Sequence, residues 1–386
     1  MITCPVCSSQ KTKEILSLHR QPIYQHPVSN VQNIEKPYFK DLVYLFCNQC
    51  EHSFQKDVDI SVLEKIYKDY YYTPRPPDIG VQFQNDFMKA LIERFDVFSS
   101  INSILEVGCS SGEILTHIAK TFPDKMLAGF EPSRETAQKA IESGFVIYQE
   151  FFTSMTSQKI KKPFDLIFHR HVIEHVFEFE DFFEAHKNIS HGNTRLIIET
   201  PCLNWAIENL SIAPFHIEHV HVFSIQSLTR LLEKYNWYLK DYMITFQGNM
   251  IGLFIQKECN RSIPEVENPL KLNGWIKKNK KIIEMAIKGK KLALWGAGAG
   301  GIRIVNSFNL RPDIVVDSNP EKAGKKFVGY EYLEIVEANP WIKKERENSK
   351  LWVVIVASTF YEEIYQCLKI SGWEGEIVQP YSISLR

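Results

Sequence analysis

The chain has 386 residues, which at roughly 150 residues per domain predicts two or three domains with enough sequence for a sizeable core. It carries 45 Lys and Arg against 46 Asp and Glu, and 44% of its residues are hydrophobic, a composition typical of soluble globular proteins. Because affinity for a phosphate backbone requires a clustered basic excess, this balance argues against nucleic acid as a partner. The longest uncharged apolar stretches, 243–256 and 351–361, are shorter than the ~18 residues of a bilayer span, so no membrane partner is predicted.

The cysteines and the N-terminal residues predict the compartment. Neither a basic n-region nor an apolar h-region opens the sequence, so no signal peptide is expected. Four of the eight cysteines form two close pairs, which suits a reducing compartment and a metal site better than a disulfide framework. We therefore expect a cytoplasmic protein.

Residues 1–75 form the first predicted domain, a small module with one short amphipathic run at 60–67. Its two C-x-x-C pairs can each direct two thiolates to the same side, and four thiolates in a tetrahedron suit Zn²⁺. The alternative is free thiols or a redox pair, but a thioredoxin-like C-x-x-C follows a strand and opens a helix, which neither pair does. Because four cysteines leave no open coordination position, we predict a structural zinc site with the ligands Cys4, Cys7, Cys47 and Cys50.

After a proline-rich link, strand and helix patterns alternate over residues 76–258, the second predicted domain. This order is typical of a doubly wound parallel α/β sheet. Helices are expected at 80–97 and 227–235, and strands at 103–107, 126–130, 145–148, 164–168 and 194–199, with two more before 257.

The first strand of this domain runs into a glycine-rich turn. Gly108 and Gly112 let the backbone approach a ligand closely, and the following helix N-terminus offers free N–H groups. Glu106 would repel a phosphate but attract the ammonium of an amino-acid moiety. Glu131, after the next strand, lies where an acid accepts hydrogen bonds from ribose hydroxyls.

These residues, together with the strand at 164–168, resemble the class I S-adenosylmethionine (SAM)-dependent methyltransferases, in which the E-x-G-x-x-x-G turn and the second acid recur in this order. The resemblance implies SAM as cofactor, bound by Glu106, Gly108, Gly112 and Glu131. Glu150 is either a contact on the adenine side or a solvated loop acid. His169, placed after the fourth strand at the ligand-binding edge of the sheet, is assigned to the cofactor as well.

Two histidine clusters, at 169–175 and 216–221, follow the fourth and fifth strands and supply six imidazoles. Neutral imidazoles beside carboxylates suit acid–base chemistry near neutral pH. A second metal site is the less favoured alternative, because the H-x-x-x-H and H-x-E-H spacings lie on loops without further Cys or Asp.

Taken over nearly its whole length, the chain resembles the three-part sugar C-methyltransferases that act on nucleotide-linked deoxy-keto-sugars. The specific features are the cysteine pairs, the tyrosine run at 70–72, the Glu174-His175 and Glu218-His219 pairs, and the segment 316–325. In that family a histidine, a tyrosine and a tyrosine followed by Glu and His surround the sugar. The corresponding residues here are His175, Tyr70, His216, Glu218 and His219, so histidine stands where the family has the second tyrosine.

Methylating a carbon requires a base to remove a proton alpha to a ketone while a donor stabilises the enolate oxygen. We therefore assign the base to His219 or His175, with Glu218 orienting an imidazole. Tyr70 or His216 donates to the sugar. The alternative is that these groups only bind substrate.

Residues 270–386 form the third predicted domain, which starts with a lysine-rich helix and a strand at 291–295. Gly296, Gly298 and Gly301 then resemble a dinucleotide fingerprint, with Asp317 after the next strand. Positioning of the substrate nucleotide is favoured here over pure structural support and over NAD binding.

The sequence thus predicts an enzyme that transfers methyl from SAM to a carbon of a nucleotide-activated sugar. The competing hypotheses are a sugar O- or N-methyltransferase and a non-catalytic binding protein.

Overall fold

The computed structural model describes residues 2–31, 34, 36–68, 84–245, 247–259, 261–357 and 361–379. Tyr70 lies outside these ranges. Within them the strands form three sheets, each built mainly from one of the three predicted domains. None of the helices in these ranges is long and apolar enough to cross a membrane.

The strands of the described residues are β1 (Thr12–Pro22), β2 (Phe39–Cys47), β3 (Ser53–Gln55), β4 (Ser103–Val107), β5 (Met126–Phe130), β6 (Val146–Tyr148), β7 (Leu166–Arg170), β8 (Arg195–Pro201), β9 (His221–Val222), β10 (Tyr238–Ile244), β11 (Asn249–Ile255), β12 (Lys291–Trp295), β13 (Ile314–Asp317), β14 (Ile335–Glu337), β15 (Trp352–Val356) and β16 (Glu376–Val378).

The helices are α1 (Ile60–Lys68), α2 (84–94, with a π-helical turn over Ala90–Arg94), α3 (Glu113–Thr121), α4 (Arg134–Glu142), α5 (Ser154–Ser157), α6 (Phe179–Asn188), α7 (Leu203–Glu208), α8 (Ile225–Glu233), α9 (Lys271–Ala286), α10 (Ala299–Ser307), α11 (Ala338–Glu345) and α12 (Tyr361–Ile370). Short 3₁₀ turns include Ile173–His175.

The N-terminal sheet is antiparallel in the order β1-β2-β3-β9. Its last strand, β9, comes from the middle of the chain, so the first and second predicted domains share a sheet. The pairing joins Phe54 to His221 and Ser53 to Val222. The segment 214–222 is thereby fixed to the cysteine-bearing module.

The central sheet has seven strands in the order β10-β11-β8-β7-β4-β5-β6. Six of them run in the same direction, but β11 runs antiparallel to its neighbours β8 and β10, so the sheet is mixed and not purely parallel as expected. Apolar side chains cover both faces, with Ile104 on one and Leu105 and Val107 on the other. This is the α/β class I methyltransferase fold.

The C-terminal sheet is parallel, in the order β14-β13-β12-β15-β16. This is the order of a dinucleotide-binding half-sheet, with the glycine turn after its central strand. α9 and α10 pack against β1, and Val28 and Lys326 exchange backbone hydrogen bonds of 2.8 and 2.9 Å. The N-terminal module therefore bridges the other two units, while the domain boundaries themselves stay predictions.

Candidate cofactor and active site

The glycine turn joins β4 to α3. Gly108 and Gly112 have φ of 74° and 78°, a left-handed conformation that side chains disfavour. A Cβ at Gly108 would also lie 2.8 Å from the side chain of Val172. The turn therefore depends on glycine for its own conformation.

Glu106 is buried at the end of β4, and its Oε2 has no hydrogen-bond partner among the described residues. Burial raises the pKa of Glu106 well above its usual range. The negative charges of Glu113 and Glu131 raise this pKa further, whereas the positive charge of Arg170 lowers it. An unsatisfied buried carboxyl is costly unless a ligand completes it. The ammonium group of an amino-acid moiety fits that requirement.

Glu131 lies beside the same turn. Its two carboxylate oxygens accept hydrogen bonds of 2.9 Å each from the backbone N–H groups of Ser110 and Ser133. The residue therefore links the glycine turn to the start of α4. Glu150, in contrast, forms an ion pair with Lys159 at the surface.

His169 lies within β7 and not after it, because the strand continues to Arg170. The ring is fully buried against Phe182 and His186, and neither nitrogen has a hydrogen-bond partner among the described residues. Burial lowers the pKa of His169 well below its usual range. The structure thus places this residue among aromatic side chains of the sheet core.

A polar network lines the carboxyl ends of β7 and β8. Arg170 donates from Nε to Glu199 at 2.5 Å, and Asn249 donates to the other oxygen of Glu199 at 3.0 Å. Asn249 also lies 3.4 Å from Nε2 of His171. The network extends from the neighbourhood of Glu106 to the histidine clusters.

Glu174 is the carboxylate at the centre of these clusters. Its side chain is 1% exposed; Oε2 accepts from Oγ1 of Thr200 at 3.0 Å, and Oε1 pairs with Nδ1 of His171 at 3.1 Å. Nε2 of His219 lies 3.9 Å from the same Oε1. Burial would raise the pKa of Glu174, but the hydrogen bond to His171 and the neighbouring imidazoles lower it to about 2.

His175 and His219 from the two clusters meet here, with ring centroids 4.9 Å apart. Each ring contacts a backbone carbonyl oxygen through its Nδ1. The distance is 2.8 Å from His175 to the carbonyl of Glu218 and 2.9 Å from His219 to the carbonyl of Pro214. Burial lowers the pKa of His219 to about 3, so the imidazole is neutral near pH 7. One ligand atom from each ring and one carboxylate oxygen of Glu174 lie within 4.8 Å of one another, close enough to hold one cation as well.

His216 and Glu218 lie on the side that faces the N-terminal module. The amide nitrogen of Gln25 donates to Glu218 at 3.0 Å and lies 3.3 Å from Nδ1 of His216. The His216 and His219 rings are 3.7 Å apart. Burial lowers the pKa of His216 and raises the pKa of Glu218. Both shifts favour the uncharged form of the side chain.

Two buried residues of the N-terminal sheet hold this loop. The hydroxyl of Tyr44 lies 2.8 and 2.7 Å from the carbonyls of His216 and His219. The Gln55 amide reaches the same two carbonyls at 3.0 Å. The position of the second histidine cluster therefore depends on the cysteine-bearing module.

The four cysteines predicted from the sequence come together, with Cys4 and Cys7 each 3.5 Å from a sulfur of the other pair. Their two loops have the same shape. Ser8 and Glu51, each next after a pair, have φ near 60° and donate to the carbonyls of Cys4 and Cys47 at 2.8 and 2.9 Å. The four sulfurs lie within 4.8 Å of one another, a donor set that fits tetrahedral Zn²⁺.

The C-terminal glycine turn is built around Asp317, which accepts from the N–H groups of Ala297 at 2.6 Å and Asn319 at 2.8 Å. Lys322 completes the carboxylate at 3.1 Å. A Cβ at Gly301 would collide with the carbonyl of Gly296, so α10 can pack this closely only with glycine. Arg303 of α10 reaches the loop of the second histidine cluster, donating to the Ala213 carbonyl at 2.6 Å.

The sheet order and the acidic glycine turn are those of the class I methyltransferase fold. In agreement, residues 81–241 match the family model described as a methyltransferase domain. This stretch of the chain is therefore a methyltransferase domain. No curated protein matches the chain.

Several solved structures are similar to about half of the chain. TnmH is 13% identical over 51% of this chain and 61% of its own, with a TM-score of 0.35. The mitomycin 7-O-methyltransferase MmcR is 15% identical over 47% and 59%, with a TM-score of 0.34. A SAM-dependent methyltransferase from Aquifex aeolicus is 16% identical over 44% and 89%, with a TM-score of 0.36. The chain therefore spans about three fifths of the first two proteins, and likeness at these scores carries no conclusion about substrate.

Sequence reasoning missed most of the residues that hold the histidines in place. Arg170 ends β7 and Glu199 lies two residues before the end of β8, so the rule that ligands bind at the carboxyl ends of strands could have identified them. Gln25, Tyr44 and Gln55 carried no such signal, because they reach the site from a distant part of the chain.

Proposed function

We propose that the protein transfers a methyl group from SAM to a carbon of a nucleotide-activated deoxy-keto-sugar through a base-generated enolate. The observation that carries the proposal is the buried imidazole of His219, whose Nδ1 is fixed by the Pro214 carbonyl beside the ends of the methyltransferase strands. An oriented neutral imidazole of this kind suits removal of a proton from carbon.

SAM supplies the electrophilic methyl group, and Glu106, Gly108, Gly112 and Glu131 are the residues proposed to hold it. The unsatisfied carboxyl of Glu106 supports this assignment. Glu150 and His169 stay the less supported members of the set, since one is paired with Lys159 and the other lies in the core.

His219 or His175 is the proposed base, and Tyr70 or His216 is the proposed donor to the sugar. Glu218 lies beside His216, since the amide nitrogen of Gln25 contacts both side chains. The C-terminal glycine turn is proposed to position the substrate nucleotide. Two cationic side chains support this: Lys322, which pairs with Asp317 at the turn, and Arg303 of α10, which reaches the Ala213 carbonyl.

The four cysteines are proposed to hold one structural Zn²⁺, which would fix the two loops and through them β3 and β9. With all four positions occupied by sulfur, the ion has no open position for substrate. A reducing cytoplasm, which keeps these thiols available, is the proposed location.

The test is transfer from methyl-labelled SAM over a panel of TDP-, UDP- and GDP-linked deoxy-keto-hexoses and their non-keto counterparts. The proposal predicts transfer only to keto-sugars, with exchange of the alpha proton in heavy water. Methylation of non-keto sugars on oxygen or nitrogen would instead support the O- or N-transferase hypothesis. Binding without transfer to any member would support a binding protein.

A further inference from the structure

We infer that Glu174 is the carboxylate that lies beside Nε2 of His219 and stabilises the protonated form of that ring when His219 removes the substrate proton. This inference rests on the proposed function and adds to it a residue outside the predicted catalytic set. The sequence favoured Glu218 for orienting an imidazole, but the carboxylate of Glu218 accepts a hydrogen bond from Gln25 instead.

The tautomer of His219 follows from its partner. A backbone carbonyl can only accept, so Nδ1 carries the proton donated to Pro214 at 2.9 Å. Nε2 is then the nitrogen with the lone pair. It lies 3.9 Å from Oε1 of Glu174, so a proton taken up at Nε2 is placed beside a carboxylate.

The carboxylate of Glu174 is itself held rigidly. Thr200, near the end of β8, donates to Oε2 at 3.0 Å, and Nδ1 of His171 pairs with Oε1 at 3.1 Å. Because His171 donates from Nδ1, its Nε2 can accept from Asn249. The chain of contacts orients Glu174 before any substrate arrives.

The charged and titratable groups around this pair are few among the described residues. His171 and His175 face Glu174 beside His219, His216 faces His219, and Arg303 acts on His216. An imidazolium formed in such a buried place is costly without a nearby anion. Glu174 is the carboxylate within reach of Nε2.

The step balances as a simple proton transfer. The C–H bond alpha to the ketone breaks, its proton goes to Nε2 of His219, and its electron pair moves to the ketone oxygen as an enolate. The positive charge on the imidazolium then lies beside the negative charge of Glu174.

Glu174→Gln tests this role in the full-length protein, with the nucleotide-linked keto-sugar that accepts methyl in the panel assay. Loss of the carboxylate should lower alpha-proton exchange and methyl transfer by ~100-fold, the scale of a general base contribution. It should also move the acidic limb of the pH–rate profile to lower pH, because the carboxylate raises the pKa of His219. SAM affinity, measured by calorimetry, should not change.

Glu174→Asp keeps the charge and should restore the position of the acidic limb at a reduced plateau, and it serves as the test if the Gln variant does not fold. Glu345→Gln, which alters a carboxylate bonded to Trp352 in the C-terminal unit, is the matched control. Unchanged exchange and an unmoved limb in Glu174→Gln would overturn the inference alone. No exchange in the unaltered protein would instead overturn the proposed function.

Discussion

At the scale of single residues, the cofactor assignment depends most on Glu131, whose carboxylate ties the glycine turn to α4. Glu131→Gln keeps one acceptor but loses the charge and the second oxygen, so it should weaken SAM binding by ~10-fold, about 1.4 kcal/mol. Calorimetric titration measures the change. Glu135→Gln, an exposed change on the same helix, should leave the affinity unaltered, and equal affinities for both variants would contradict the assignment.

Buried histidines make stability depend on pH at single positions. Burial lowers the pKa of His186 to about 4, so the unfolded chain binds its proton first as the pH falls. This contribution is complete above the unfolded pKa of ~6.5 and is lost as the pH falls towards 4.

His186→Phe should therefore flatten the dependence of unfolding free energy on pH between about 7 and 4, by roughly 3 kcal/mol at 1.36 kcal/mol per unit. Urea unfolding at several pH values measures it. His117→Phe on α3, a histidine that is not fully buried, is the control. The same slope in His186→Phe as in the unaltered protein would exclude this contribution.

At the scale of elements, the N-terminal sheet controls the loop of the second histidine cluster. Tyr44→Phe removes a fully buried hydroxyl that bonds the loop carbonyls, and should lower stability by roughly 1–2 kcal/mol and turnover by several-fold. SAM affinity should stay the same, because the hydroxyl of Tyr44 bonds to the loop carbonyls and to Gln55. Tyr365→Phe on α12 is the control, and full turnover in Tyr44→Phe would show that the loop keeps its position without this hydroxyl.

The cysteine loops connect to the same histidines through β3 and β9. If one zinc ion holds them, metal analysis should find one per chain, and chelation should increase hydrogen–deuterium exchange over 214–222 while β12 and β15 stay protected. Cys47→Ser should reproduce the effect, and Cys367→Ser, exposed on α12, should not. A metal-free protein with unchanged protection of 214–222 would refute the zinc proposal.

At the scale of the whole molecule, local sequence patterns predicted the strands that are buried on both faces. The predictions for 103–107, 126–130 and 291–295 match β4, β5 and β12 residue for residue. Parallel strands that are covered on both faces have continuous apolar runs, and turns at both ends mark their limits. The prediction for β7 missed His169, which is buried against an aromatic ring, and Arg170, which forms an ion pair with Glu199. Pairing of β3 with β9 was not predictable, since it joins segments about 170 residues apart.

The candidate site shows the same division. Residues within one motif, such as the four cysteines and the Glu174-His175 pair, were recognisable from their spacing. The carboxylate beside His219 was assigned to its sequence neighbour Glu218, whereas the structure brings Glu174 from the other cluster. Glu218 precedes His219 on the loop, but its side chain contacts Gln25. Sequence spacing alone therefore does not show which carboxylate lies beside an imidazole.

The central claim, methyl transfer to carbon, is tested most directly by the bond formed in the product. A keto-sugar nucleotide labelled with ¹³C in the sugar is incubated with the protein and ¹³C-methyl SAM, and the product is examined by NMR. We expect a one-bond carbon–carbon coupling between the new methyl group and a ring carbon next to the ketone. A methyl signal without that coupling, attached through oxygen or nitrogen, would contradict the account.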